Sequence, residues 1–143
     1  MAHRMIRELI ANQKPRVAAP EMTVRDAVQW MVHENCGSIM VERDGHLIGI
    51  FTEHDALTRV LAEGRDSDKT HLHEVMTRNP VSLSPDKPLL DALHAMRQFG
   101  FRHVPVIEDG RPVGIVSLRD VLESEFWEFK SGLGEPRDSS AHT

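Results

Sequence analysis

The apolar positions of this chain fall into short runs of two different periods, and one succession of runs occurs twice. From Val24, apolar residues recur at Ala27, Val28, Met31 and Val32, the spacing of one helix face. Thr23, with Asp26 three residues on, offers that helix an N-terminal cap. Residues 38–41 and 47–51 are β-prone runs, and the Asp44-Gly45 step between them suits a tight hairpin. Ala56, Leu57, Val60 and Leu61 then predict a second helix with those four on one face, ended by Gly64. The plan returns with Leu89, Ala92, Leu93 and Met96, strands at 104–107 and 113–116 around Asp109-Gly110, and a helix from Leu118.

The copies align without a gap when Pro20 is laid on Pro85. Asp26 then falls on Asp91, Ala27 on Ala92, Met31 on Met96, Gly49-Ile50 on Gly114-Ile115 and Asp55 on Asp120. Two copies predict an internal pseudo-two-fold axis, and they direct attention to the seam between them. The expected organisation is a helical segment at 1–14, a first repeat at 15–64, a linker and short helical turn at 65–75, a second repeat at 76–131 with a lead-in strand at 80–83, and a disordered tail at 132–143. The fold class is α/β of the α+β kind.

Composition narrows the setting. The chain has 143 residues, 40% of them hydrophobic, which is enough for one compact core or two small ones. No apolar run approaches the roughly 20 residues that cross a bilayer, and a net charge of -5 without a basic stripe argues against nucleic acid. No membrane partner is expected. The lone Cys36 cannot pair internally, so a cytoplasmic location and a packed thiol are expected.

The chemistry sits where the second hairpin strand of each repeat runs into a helix, at GIFTEHD (49–55) and GIVSLRD (114–120). A helix N-terminus presents unpaired N–H groups there, with a hydroxyl residue and an aspartate one turn apart. Such a corner can hold a phosphate and a ribose, the carboxylate accepting from hydroxyls and Arg119 adding a charged fork. Thr52 with Asp55 and Ser117 with Asp120 are equally good capping boxes, which need no ligand. Gly49 and Gly114 mark close approach of a ligand or of another backbone. Nine histidines raise the question of metal, but His71 and His73 stand in a linker without an evident remaining shell, and no metal site is expected. His33, His94 and His142 read as solvated. No nucleophile, base and orienter form a set, so an enzyme is not expected. Trp30, and Phe126, Trp127 and Phe129 on the last helix, lie off the core stripes and predict a symmetric homodimer with Trp30 or Trp127 at its interface.

The doubled pattern, with Arg102-His103-Val104-Pro105-Val106, the Asp-Gly hairpin, GIVSLRD and GIFTEHD, resembles a tandem pair of cystathionine-β-synthase (CBS) domains, a Bateman module, over about residues 15–131. The resemblance implies two β-α-β-β-α repeats about a pseudo-two-fold axis and a stand-alone regulatory module without catalytic groups. It implies an adenosine ligand, AMP first and NAD next, with ADP, ATP and S-adenosylmethionine also in the family's range, and a regulated protein of unknown identity. Carried onto this chain, the better cleft uses Ser117 and Asp120 at ribose and phosphate, Arg119 and Arg102 at phosphate, and backbone near Ile39 and Val17 around adenine. The other uses Thr52 and Asp55, with His54 in place of the arginine, and Val81, His103 and Val104 lining the base. Lys14, Arg16, Arg78 and Asn79 of the lead-in segments complete the walls. The first copy departs from the pattern at Gly37, Met40 and His54, which stand opposite Arg102, Pro105 and Arg119. The alternative reading is an assembly module whose clefts are vestigial.

Overall fold

The computed structural model describes residues 4–124. The first half contains α1 (Ile6–Ile10), β1 (Val17–Ala18), α2 (Val24–Glu34), β2 (Ser38–Arg43) and β3 (His46–Thr52), followed by α3, which opens as Glu53–Asp55 and continues through Ala56–Leu61. Past the connection come α4 (Leu72–Val75), β4 (Thr77–Arg78), α5 (Leu89–Phe99), β5 (His103–Glu108), β6 (Arg111–Ser117) and a last helix, α6, which runs from 118 to 124 within the described residues. Thr23 caps α2 as expected, its Oγ1 accepting the Asp26 N–H at 3.2 Å. Asn35 ends that helix in the left-handed conformation, φ 54°.

Both hairpins are built alike. Asp44 and Gly45 have φ 54° and 82°, Asp109 and Gly110 have φ 55° and 80°, and positive φ at both central residues gives a turn whose twist matches that of the strands. A register shift follows Val41 in β2 and Val106 in β5, equivalent positions of the repeat. The first sheet has order β1-β2-β3-β4, with β1 parallel to β2 and the other pairs antiparallel. The second pairs β5 with β6, and its lead-in contributes a single parallel bridge, Leu83 to Val106. The strand expected at 80–83 is therefore reduced to one residue, held by the Leu83 N–H on the Pro105 carbonyl and the Ile107 N–H on the Leu83 carbonyl, each at 3.0 Å.

The lead-in helices cross over. α1 docks on the second repeat, where the Ile6 N–H reaches the Lys87 carbonyl (2.9 Å) and the Leu89 N–H reaches the Arg4 carbonyl (2.7 Å). α4 docks on the first, through Leu72 to Met22 (2.9 Å) and Val24 to Thr70 (2.8 Å). The cores follow this exchange. Leu72, Val75 and Met76 join Val24, Ala27, Met31, Ile39, Val41, Phe51 and Val60 in one core, while Ile6 and Ile10 join Leu89, Ala92, Met96, Val104, Val106 and Val116 in the other. Met40, Ile50 and Ile115, with Val17 and Leu47 against them, fill the seam between the sheets.

Two expectations about helix faces are corrected. α3 changes winding after its first turn to i→i+5 hydrogen bonds over Ala56–Leu61, continued by the Ala62 N–H on the Leu57 carbonyl at 2.9 Å. Its four apolar residues therefore do not share one buried face: Val60 is buried, whereas Leu57 and Leu61 are 58% and 72% exposed. Val32, placed in the α2 stripe, stands exposed at that helix's edge. The disordered tail expected at 132–143 and the aromatic group Phe126, Trp127 and Phe129 lie outside the described residues. Trp30 packs, partly buried, against its own subunit's first core.

Candidate functional site

β3 and β6 end at equivalent hydroxyl residues, and each begins a helix with a reciprocal cap. Asp120 Oδ2 accepts the Ser117 N–H at 3.2 Å, and Ser117 Oγ accepts the Asp120 N–H at 3.0 Å. Asp55 Oδ2 takes both the N–H (3.0 Å) and the hydroxyl (3.1 Å) of Thr52, whose Oγ1 accepts the Asp55 N–H at 3.2 Å. Capping is thus real in both copies. The difference is what remains of each carboxylate: Asp55 is buried and its Oδ1 faces Arg59 Nε at 3.6 Å, whereas position 124, equivalent to Arg59, is Ser124 and Asp120 has no such partner among the described residues.

The Asp120 corner opens on a cleft of about 1100 Å³ walled by both repeats. Ser117, Arg119, Asp120, Arg102 and Arg16 line it, joined by Gln13 from the N-terminal lead-in and by Cys36, Gly37, Ser38 and Glu53 from the first repeat. Arg16, Arg102 and Arg119 form no ion pair among the described residues, although other arginines here do. Glu53, Asp120 and Glu123 supply carboxylates to the same walls. Guanidinium groups without an ion pair ask for an anion, and carboxylate oxygens not taken up by a cap ask for hydroxyl or amine donors.

His103, expected to line the base at the Asp55 corner, stands between the two repeats. It lines the Asp120 cleft, where β5 pairs it directly with Ser117, and it also faces Glu53 at the start of the Asp55 helix. Its Nε2 lies close to Gly37, where an added Cβ would stand 3.1 Å from it and 3.1 Å from Glu53 Oε1, so a side chain at position 37 would crowd the contact between repeats. Burial lowers the His103 pKa from the ordinary 6.5, against the upward pull of Glu53 and Asp120, and Arg102 lowers it further. As pH falls below 6.5 the unfolded chain takes up a proton that folded His103 resists, so its stabilising contribution is complete above that value and is lost on acidification through the depressed folded value. Urea unfolding from about pH 7.5 to about pH 5.5 should show a shallower decline for His103→Asn than for the parent.

Ile39 and Val17, expected to offer backbone near adenine, turn their side chains into the first core and the seam, next to Ser38 and Arg16 of the lining. Val104, assigned to the other cleft, is buried in the second core, and Lys14 is exposed outside the lining of this one. Thr52, His54, Asp55, Arg78, Asn79 and Val81 do not line it either. β4 sets Arg78 against Gly49, beside the strand that ends at Thr52, and Arg78 donates to the His73 carbonyl at 3.0 Å. Glycine at 49 and 114 answers protein, not ligand: a Cβ at Gly49 would strike Met76 and the Thr77 carbonyl, and one at Gly114 would lie 2.8 Å from Ile10 and 3.0 Å from Gln13. Gln13 was not singled out in the sequence. Its amide donates to the Ile115 carbonyl and accepts the Ile115 N–H, both at 2.9 Å, doing for β6 what the backbone of Thr77 does for Ile50.

The sequence profile of the CBS domain matches residues 6–62 and again 72–125. This chain belongs to the CBS domain family. Its two CBS repeats are similar to YhcV of Bacillus subtilis, a CBS domain-containing protein 33% identical over 120 residues, covering 84% of each chain. They are 34% identical to the mitochondrial CBS domain-containing protein CBSX3 of Arabidopsis thaliana over 116 residues, 78% of this chain but 56% of that one, so the chain spans about half of that relative. A crystal structure of the CBS domain pair of protein MJ0100, in complex with 5'-methylthioadenosine and S-adenosyl-L-methionine, superposes with a TM-score of 0.74 at 26% identity, over 83% of this chain and 97% of that one. No helix among the described residues is long and apolar enough to cross a membrane.

Proposed function

We propose that this CBS pair is a non-catalytic regulatory module that binds an adenosine compound, AMP first and NAD next, in the cleft at Asp120 and passes its occupancy to a partner protein. The observation that carries the reading is the wall chemistry of that cleft. Three arginines without an ion pair among the described residues serve a phosphate, while carboxylates at Asp120 and Glu53 serve ribose hydroxyls and an exocyclic amine, a mixture that a nucleotide satisfies and a simple anion does not. The adenosine ligands of the MJ0100 pair support the choice of base. Calorimetry and thermal shift with AMP, ADP, ATP, NAD and S-adenosylmethionine test it. A ligand present at 100 times its dissociation constant adds about 2.7 kcal/mol to the folded state, and silence across the whole set overturns the proposal.

The Asp55 corner favours a second reading, an assembly module with a vestigial cleft, because Arg59 already occupies the carboxylate that a ribose would need. Both readings accommodate a homodimer. Trp30 is partly covered by its own core, and Leu57 and its equivalent Leu122 are both exposed, as is Leu61, on the helices that follow the two capped corners. Leu57→Glu with Leu61→Glu is expected to halve the mass seen by light scattering from a dimer to the 16.2 kDa chain. A parent already at monomer mass at all concentrations counts against the dimer.

A further inference from the structure

We propose that His71, His73 and Glu74, with Glu21 beside them, form a binding site for a borderline transition-metal dication of the zinc class. Ligating atoms of His71, His73 and Glu74 all lie within 4.8 Å of one another. His71 Nδ1 already stands 3.3 Å from Glu74 Oε2, about the separation of two donors on a tetrahedral zinc with bonds near 2.0–2.2 Å. The His73 ring lies parallel to that of His71, interplanar angle 6° and centroids 5.7 Å apart, which sets both imidazoles on one side of the cluster.

The segment is not a loose surface tail. Leu72 and His73 donate their N–H groups to the carbonyls of Met22 (2.9 Å) and Pro20 (3.1 Å), and His71 bridges to Thr23. That stitching fixes Glu21 next to the cluster, and His73 lies within electrostatic range of its carboxyl, whose pKa is lowered chiefly by Arg43. Glu74 is divided in a useful way: Oε1 is held by Arg65 Nη1 at 3.4 Å, while Oε2 accepts the His71 N–H at 2.8 Å and keeps a lone pair toward the imidazoles. Two imidazoles and a carboxylate suit zinc and its neighbours in the series, whereas magnesium and calcium demand an all-oxygen shell. The metal would tie the turn before α2 to α4, the helix that crosses between repeats.

The test needs no nucleotide and is independent of the function proposed above. The untagged full chain is titrated with zinc chloride by calorimetry, with magnesium chloride in parallel. Binding of a single zinc is expected, weakened more than about tenfold in His73→Ala and in Glu74→Gln, with no heat from magnesium. His33→Ala with His94→Ala, exposed histidines elsewhere, should leave the affinity unchanged. His73 is exposed, so its variant is expected to fold, and circular dichroism confirms this. A parent that binds no zinc, unchanged affinity in the folded His73 and Glu74 variants, or loss of affinity in the His33 and His94 variant overturns the site.

Discussion

Asp120→Asn is expected to weaken AMP binding by about a hundredfold while costing the fold about 1 kcal/mol or less. An amide oxygen still accepts the Ser117 N–H, so the cap survives, and a cap residue exchanged for a comparable one changes stability little. What disappears is the charged acceptor for ribose hydroxyls. Hydrogen bonds to charged groups contribute about 1.5–3 kcal/mol each, and about 2.7 kcal/mol corresponds to a hundredfold in affinity. Asp55→Asn makes the contrast. Arg59 and Thr52 engage that carboxylate within the protein, so the substitution should act on stability and leave AMP affinity within about threefold. Calorimetry on the two variants, with urea unfolding alongside, reads both effects. Equal loss of binding in the two would overturn the ranking of the clefts.

Phe51→Ala should destabilise the chain by about 3–5 kcal/mol, the range for truncating a buried aromatic, because its ring is wholly buried at the centre of the first core. The repeat supplies an internal control. Val116 holds the equivalent position in the second core and is equally buried, but Val116→Ala removes only two methyl groups, each about 0.8 kcal/mol before any cavity term. The denaturant midpoint should therefore fall much further for Phe51→Ala. A smaller shift for Phe51 than for Val116 would mean that the first core collapses readily around the loss.

Local pattern made much of this architecture legible. The α2 stripe with its Thr23 cap, both Asp-Gly hairpins and both capped aspartates follow from interactions between near neighbours. The family resemblance added Arg16, Arg102 and Arg119 to the cleft wall, and the structure sets all three there. What escaped is long-range. The lead-ins repeat as well, Glu8 accepting the Met5 N–H as Glu74 accepts that of His71, but at an offset one residue longer than the rest, so the gapless alignment passed over them. Gln13 belongs to that unseen stretch, and its strand-like role depends on contact with Ile115, 102 residues away. The contacts of His103 with Ser117 across the hairpin and with Gly37 and Glu53 across the seam escaped too, because these residues are neighbours only in space. The change of winding in α3 leaves no trace in the spacing of its apolar residues, which puts exposed Leu57 and Leu61 on one face with buried Val60.

The crossed lead-ins decide what would follow a cut in the chain. The connection from 62 to 69 is almost entirely exposed and open to a protease, yet cleavage there should release neither half. The N-terminal fragment carries Ile6 and Ile10, which the other fragment's core requires; the C-terminal fragment carries Leu72, Val75 and β4, which complete the first core and its sheet. The nicked protein remains an interlocked complementation pair, and each fragment expressed by itself lacks the plug that its own core needs.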